Sequence, residues 1–379
     1  MSSPPAAPHL WPVRFVGSGS EYFRIWIVNL LLTLVTLGLY YPWAKLRRLR
    51  YFYGSTEVAG RALAFHGDAR RMLRGYLLVG LLFIAYSVAW QVSPAAGLVA
   101  LLALAALWPA LWRAGLRFRL GQTSWSGLRA GFSGSAGGAY RALLPLAPAL
   151  VTMAMLARID QGTQEPGLGQ SLLALSLLLL TLALLPLLLW SMRRYQHAHL
   201  LLGSERSAVD AGRWPVYRAL LAAALIGLAG LLLALALSFL IAGLPGGPDG
   251  PDGTRRSTLA PALAGVFTVL LAQATVAPYV TARLQNLFWN HTRSRHLRVH
   301  STLRARALVM LSLKNWALII VTLGLYLPFA SIAKARLRLQ AVTVQSELDA
   351  DALLAGAPSG SESAAGDAAG DLFGVDLGL

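Results

Sequence analysis

The chain has no cysteine, which excludes disulfides, thiolate metal sites and cysteine nucleophiles together. It is also poor in charge. Only 13% of its 379 residues are Asp, Glu, Lys or Arg, against about 25% in soluble domains. Acids are the scarcest of these, 16 in all, and seven of them (Glu347, Asp349, Asp351, Glu362, Asp367, Asp371 and Asp376) lie near the C-terminal end. The long apolar stretches between 76 and 281 carry no acid or base away from their ends, which argues against a proton relay of buried carboxylates. No Ser/His/Asp set or HExxH is present, and the glycine run at 131–138 lacks the GK[ST] of a phosphate loop. The seven histidines offer two or three plausible ligands per cluster, with few carboxylates near, so neither a metal nor a cofactor is expected.

What is present is hydrophobic. Apolar residues make up 56% of the chain, and mean hydropathy is +0.56. Apolar segments fall at about 76–92, 95–112, 142–157, 170–192, 216–242 and 259–281. A bilayer-spanning helix needs about 20 apolar residues, so the chain reads as a polytopic membrane protein. The segment at 142–157 is short and holds Pro145 and Pro148, which predicts a kink or tilt. The net charge of +17 fits the Lys/Arg bias of cytoplasmic loops, and no nucleic-acid partner is expected. Residues 1–11 lack a basic n-region and are expected to form a disordered leader, not a signal peptide. From 341 to 379 the chain has no Lys or Arg, and it is expected to be an acidic disordered tail. The membrane domain is then 12–340.

The most informative stretch, Glu21 to Arg50, occurs twice. At an offset of 286, Asn29 falls on Asn315, Thr36-Leu-Gly-Leu-Tyr40 on Thr322-Leu-Gly-Leu-Tyr326, and Pro42-Trp-Ala44 on Pro328-Phe-Ala330. Residues 50–67 recur at 117–134, and more loosely near 193–213 and 283–303. Their aromatic and β-branched residues with spaced glycines predict short β-hairpins, with Val13-Arg-Phe-Val16 adding a strand. Such internal symmetry marks membrane folds assembled from repeats.

Counting bases assigns the loops. Those at 45–75, 113–141, 193–218 and 282–306 are strongly basic, whereas the turns at 91–95, 158–169 and 243–258 hold only Arg158, Arg255 and Arg256. The hairpins therefore read as cytoplasmic. The repeated stretch does not fit this parity. Either its two copies cross in opposite orientations, or each dips into the membrane and returns. The dip is favoured, because Gly38 and Pro42 supply a bend. Re-entrant backbone is tolerated only under a cover of protein or in a cavity.

Two sets of candidate residues follow. Asn29, Thr36, Gly38, Pro42, Asn315, Thr322, Gly324 and Pro328 are candidates for a bend or a polar path. A membrane Asn otherwise bridges neighbouring helices, for about 1 kcal/mol. Lys45, Arg47, Arg48, Arg50, Arg70, Arg71 and Arg74 are candidates for contact with anionic headgroups, each base near the surface contributing about 1 kcal/mol. Orientation by charge alone produces the same clusters. Trp26, Trp43, Tyr40, Tyr41, Tyr51, Tyr53 and Tyr326 suit an interfacial belt.

Several motifs resemble the YjgN-like family of bacterial inner-membrane proteins, a family of unknown function. They are Phe15-Val-Gly-Ser-Gly-Ser-Glu-Tyr-Phe23, Thr36-Leu-Gly-Leu-Tyr-Tyr-Pro-Trp-Ala-Lys45, Arg50-Tyr-Phe-Tyr-Gly-Ser-Thr56, Arg283-Leu-Gln-Asn-Leu-Phe-Trp-Asn-His-Thr292 and Ser301-Thr-Leu-Arg-Ala-Arg306. The second copy departs from the pattern, reading Pro328-Phe-Ala-Ser331. The resemblance implies an inner-membrane location and no particular activity.

The expected fold is an all-α polytopic bundle of six spans and two repeated terminal segments, with short cytoplasmic β-hairpins that form a small sheet. The expected function is transporter or channel-like. The alternative is a non-catalytic scaffold or a protein that interacts with anionic lipid, and an integral enzyme ranks third. Membrane lipids are the expected partners.

Overall fold

The structure, a computed structural model, describes residues 8–159, 167–242 and 254–355. The turns expected at 160–166 and 243–253, the leader at 1–7 and the tail at 356–379 lie outside the described residues. The fold is mostly helical, with six helical segments long and apolar enough to cross a membrane and two small antiparallel sheets.

Strands and helices alternate in a regular way. β1 (His9–Pro12) and β2 (Arg14–Phe15) lead into α1 (Gly19–Val35) and α2 (Tyr41–Gly54). The hairpin β3 (Thr56–Val58) and β4 (Arg61–Phe65) then precedes the pair α3 (Ala69–Val92) and α4 (Pro94–Gly121). A second hairpin, β5 (Thr123–Trp125) and β6 (Leu128–Phe132), precedes α5 (Ala136–Leu143), a 3₁₀ turn at Leu144–Leu146, α6 (Ala147–Ile159) and α7 (Leu168–His197). β7 (Leu200–Leu202), β8 (Glu205–Arg206) and β9 (Ala208–Val209) follow, then α8 (Trp214–Ala242) and α9 (Thr254–Asn290). The chain continues through β10 (Thr292–Arg293), β11 (Leu297–Ser301), α10 (Ala305–Val321), α11 (Leu327–Leu339), β12 (Val342–Ser346) and α12 (Ala350–Ala355).

Local chemistry sets these boundaries. Asp68 caps α3 by accepting from the Arg70 N–H at 3.0 Å. Ser93 ends α3 and caps α4 through the Ala96 N–H at 3.1 Å, with Pro94 at the first helical position. Pro145 accounts for the 3₁₀ turn between α5 and α6. At the other end of the helices a threonine recurs. Thr56, Thr123 and Thr292 each donate to the carbonyl four residues back (Phe52, Arg119 and Phe288) at 2.7, 2.9 and 2.6 Å, and each opens a strand. The β3–β4 and β5–β6 turns use Ala59-Gly60 and Ser126-Gly127, all four at positive φ. That is the two-residue turn whose twist matches antiparallel strands.

Three sequence expectations are corrected. Residues 50–54, 117–121, 193–197 and 283–290, expected within hairpins, are instead the ends of α2, α4, α7 and α9. The helices run on until a Thr, or the Ala198-His199 turn, stops them. The leader expected at 1–11 is ordered from His9, which pairs with Ser346. The tail expected to be disordered from 341 contributes β12, a central strand between β1 and β11, and α12. Its Val342-Thr-Val344 is β-branched and adds no acid before Glu347.

The strands follow chain order around a cycle. One sheet runs β2 to β8 in sequence, and the other runs β1-β12-β11-β10-β9. Val13 joins them between β1 and β2, Ser207 between β8 and β9. Each helical pair leaves this double-sheet cap and returns to it. The cap is fastened across the sheets by Glu205 of β8, whose carboxylate accepts from Ser294 Oγ at 2.6 Å and pairs with His296 Nδ1 at 2.6 Å.

Candidate functional site

α1 and α2 form a helical hairpin. Its open end is closed by Tyr51, whose hydroxyl accepts from the Ser18 N–H at 2.8 Å and donates to the Ser18 carbonyl at 3.0 Å. The Val16 N–H also bonds the Ser55 carbonyl at 2.9 Å. α10 and α11 form another, closed by Thr302 N–H to the Ala341 carbonyl at 2.9 Å. In both, the chain enters and leaves at the sheet cap.

The two turns have the same bonds. Thr36 Oγ1 donates to the Leu32 carbonyl at 2.7 Å and accepts from the Tyr40 N–H at 3.0 Å. Thr322 does the same with Leu318 and Tyr326, at 2.7 and 3.0 Å. Leu37 and Gly38 have φ of 50° and 90°, and Leu323 and Gly324 have 49° and 93°. Glycine adopts this left-handed region without the Cβ clash that other residues meet. Pro42 and Pro328 sit in the first turn of α2 and α11, where no N–H is missed. Halfway down, Asn29 Nδ2 points to the Ala44 carbonyl at 3.5 Å, and Asn315 Nδ2 to the Ala330 carbonyl at 3.4 Å. All eight bend candidates therefore belong to the turns and braces of the hairpins. The tips are apolar and open, with Val35, Leu37, Val321 and Leu323 about four-fifths exposed or more.

The hairpins pack on each other through α1 and α11. A Cβ on Gly19 would lie 2.5 Å from Phe329 Cδ1, so the helices approach closely there. Arg336 donates to the Gly17 carbonyl at 2.8 Å, and Val13, Phe15 and Tyr22 share a core with Ile332, Ala335 and Leu339.

Between α2 and the second hairpin lies a cleft of about 260 Å³. Arg48, Lys334 and Arg338 line it, and Phe52, Trp316, Ile319 and Leu327 supply apolar wall. Ser312 and Asn315, both at least nine-tenths buried, also line it. Ser312 Oγ and Asn315 Oδ1 have no hydrogen-bond partner. Leaving such a buried group unmatched costs about 1–3 kcal/mol. The cleft is graded along its length. On α11, Leu327 lies at the tip end and Arg338 eleven residues nearer the cap, about 16 Å at the helical rise.

Among the many positions at which the first hairpin differs from the second, two lie beside the paired asparagines. Trp26 stands where the second hairpin has Ser312. Arg47, which donates to Asn29 Oδ1 at 3.5 Å, stands where the second has Ala333. A bulky ring and a guanidinium are thus replaced by a hydroxyl and a methyl. Comparison of the two hairpins residue by residue finds Ser312 and Ala333, to which the matching positions gave no pointer.

Of the basic candidates, Arg48 lines the cleft and stacks over Phe52 at 5.7 Å, while Arg50 donates to the Gly67 carbonyl at 3.1 Å. Lys45 lies on α2; Arg70, Arg71 and Arg74 are exposed on the first turns of α3, outside the cleft. Lys334 and Arg338 join the site from a stretch the candidate set omitted. Arg338 is held by a two-way bond with Gln285: its Nε donates to Oε1 at 3.0 Å, and Gln285 Nε2 donates to its carbonyl at 3.0 Å. Gln285 is part of Arg283-Leu-Gln-Asn-Leu-Phe-Trp-Asn290, in which Asn286 and Asn290 also brace Ser301. Several belt candidates are packing residues: Tyr53 is buried against Phe65, and Tyr51 stacks on Tyr22 at 5.4 Å. Among the described residues no group of three or more His, Asp or Glu is placed to hold a metal ion.

A larger apolar groove, about 550 Å³, lies between α3, α4 and α6, with Phe83, Leu104, Trp108 and Leu150 in its wall. Its wall is drawn almost wholly from apolar side chains of membrane-length helices.

Six membrane-length helices, charged only toward their ends, and the match to inner-membrane proteins define a multi-pass membrane protein of the inner-membrane class. The chain belongs to the family described as "Bacterial protein of unknown function (DUF898)", whose model matches residues 11–372. It is 34% identical over 129 residues to "Inner membrane protein YjgN" of Escherichia coli O157:H7, covering 33% of this chain and 32% of the relative. The protein of the same name from Salmonella typhimurium is 31% identical over 148 residues, covering 39% and 37%. The match thus spans about a third of each of these curated relatives. No solved structure matches the chain.

Proposed function

We propose that this is a non-catalytic, lipid-interacting protein of the inner membrane whose sheet cap and basic loops face the cytoplasm. On this reading α1–α2 and α10–α11 are copies of one module, and each dips into the cytoplasmic leaflet and returns. One observation carries the reading: both hairpins expose leucine at the tip and collect bases toward the cap. A half-inserted hairpin then meets acyl chains with Leu37 and Leu323 and phosphates with Arg47, Arg48 and Arg50. Each base near an anionic surface contributes about 1 kcal/mol. The polar braces support it as well, because Asn29 and Asn315 spend their amide nitrogens within the hairpins.

Purification in mild detergent followed by mass spectrometry of retained lipid tests this. Anionic phospholipid is expected to be enriched over zwitterionic, and Arg47→Gln with Arg48→Gln and Arg50→Gln should reduce the enrichment several-fold. Retention in proportion to bulk membrane composition would overturn the reading.

A transporter or channel-like activity is the second reading, favoured by the cleft that the paired hairpins enclose. Its cargo would be the same anionic amphiphile. Fluorescent phosphatidylglycerol in proteoliposomes tests it: movement between leaflets that Asn315→Leu abolishes at unchanged protein level supports transport, and no movement above empty liposomes rejects it.

A further inference from the structure

We infer that residues 371–377 of the chain dock on the outward face of the five-stranded sheet, with the Asp376 carboxylate held between Arg293 and Arg298. That contact lies outside the hairpins and goes beyond the lipid-interacting reading, on which it does not depend.

Strand register sets the face. Ala208, Arg293, Arg298, Gln345 and Leu10 are successive partners across β9, β10, β11, β12 and β1, so they form one row. Side chains along a strand alternate between the two faces of its sheet. Thr292, beside Arg293, is buried, and Val299 and Val344, beside Arg298 and Gln345, pack on the core that holds Phe15 and Tyr22. The row therefore points outward. Arg293 and Arg298 are exposed, and Leu10 at the end of the row is 65% exposed.

Direct partners in an antiparallel ladder have Cβ atoms about 4.5–5.5 Å apart, and like charges so placed repel. Among the described residues neither of these two arginine side chains has a hydrogen bond, an ion pair or a ring contact. The other outward positions of these strands, Pro12, His300 and Thr343, add no acid. Two guanidiniums rooted this close can donate to one carboxylate together, which turns the repulsion into a pair of charge-assisted bonds.

The chain itself supplies the anion. It has 16 acids, of which Glu362, Asp367, Asp371 and Asp376 lie beyond Ala355 with no Lys or Arg among them. The described chain already brings one acid of this end to a base of the cap, where Asp351 meets Arg61 at 2.6 Å. Spacing selects among the four. Leu10 lies two strands from Arg298, about 9.5 Å at the usual strand separation, and an extended chain covers that in about three residues. Three residues to either side of Glu362, Asp367 and Asp371 stand only Ala, Ser or Gly; three before Asp376 stands Phe373, an aromatic partner for Leu10. Reach agrees. The 18 residues from Ala355 to Phe373 extend to at most about 60–65 Å, and such a tether holds its end at about millimolar effective concentration. The protein thus covers its own basic row, and an anionic partner must displace residues 371–377 to reach it.

Paired cysteines in the full chain, which has none of its own, test this. Gln345→Cys sits in the row between Arg298 and Leu10, and Val375→Cys lies between Phe373 and Asp376. Ala62→Cys with Val375→Cys is the control, because Ala62 is exposed on β4 beside Arg61, where Asp351 is held. Under mild oxidation the Gln345→Cys pair is expected to form its disulfide at least fivefold faster than the Ala62→Cys pair, read by peptide mass spectrometry. Arg293→Gln with Arg298→Gln should bring the two rates together. So should about 1 M salt, where the Debye length is about 3 Å, and this arm leaves the sheet unaltered. Phe373→Ala should slow the Gln345→Cys pair several-fold. Equal rates for the two pairs, or a fast Gln345→Cys rate that survives both the loss of the arginines and high salt, overturns the inference. Disulfides that join two chains assign the row to a second copy and overturn it as well.

Discussion

At the scale of single residues, the hairpin turns depend on a hydroxyl that does two tasks. Thr322 both donates to the Leu318 carbonyl and accepts from the Tyr326 N–H, so it spans the break between α10 and α11. Thr322→Ala should lower the thermal midpoint, losing about 1–2 kcal/mol for two hydrogen bonds, while Thr322→Ser should retain most of it. Circular dichroism on the detergent-solubilised protein reads this out. A second residue-scale effect concerns acid. Burial pushes the Glu205 carboxyl up, but hydrogen bonds from Ser294 and His296 outweigh it and hold the group below its ordinary value of 4.5. A carboxyl so depressed stabilises the fold above that ordinary value, and the contribution is lost as pH falls through the folded value. Amide exchange in β8, β10 and β11 should therefore speed up below about pH 4.5, and Glu205→Gln should flatten that dependence by removing the titrating group.

At the scale of elements, the lack of native cysteine makes the hairpins easy to probe. Leu37→Cys and Leu323→Cys, both at exposed tips, should resist an aqueous maleimide in membranes and react in detergent. Cysteine at Arg61, on the cap, should label in both once the cytoplasmic face is accessible. Reaction of the tip cysteines from the periplasmic side would show full crossings instead. Much of these elements was legible in the sequence, because Thr36, Gly38 and Pro42 each have a local conformational meaning and recur in register. The ends of α2, α4 and α7 were less so. Arg50-Tyr-Phe-Tyr-Gly54 is aromatic and glycine-terminated, which suits a strand as well as a last helical turn. What decides is Thr56 bonding back to Phe52, a contact that composition does not display. The cleft was hidden for another reason: its wall is drawn from two hairpins far apart in the chain, with Arg48 and Phe52 from one and Ser312 and Asn315 from the other.

At the scale of the whole molecule, β12 is central to its sheet, lying between β1 and β11. It was unreadable as a strand because one partner, β1, lies near the opposite end of the chain and the residues that follow it are acidic. A chain ending at Ala341 should lose the β1–β12 and β11–β12 ladders and melt well below the full protein, whereas one ending at Ala355 should keep its midpoint; thermal unfolding of both in one detergent makes the comparison. The same closure sets a timetable for synthesis. The first hairpin is translated early, yet its packing partners, Phe329, Arg336 and Val342, leave the ribosome only after all six membrane-length helices. During that interval the α1 face and the β1 edge have no mate. A chain stalled or cleaved anywhere before residue 342 therefore leaves this seam open, with the α1 face and the β1 edge uncovered.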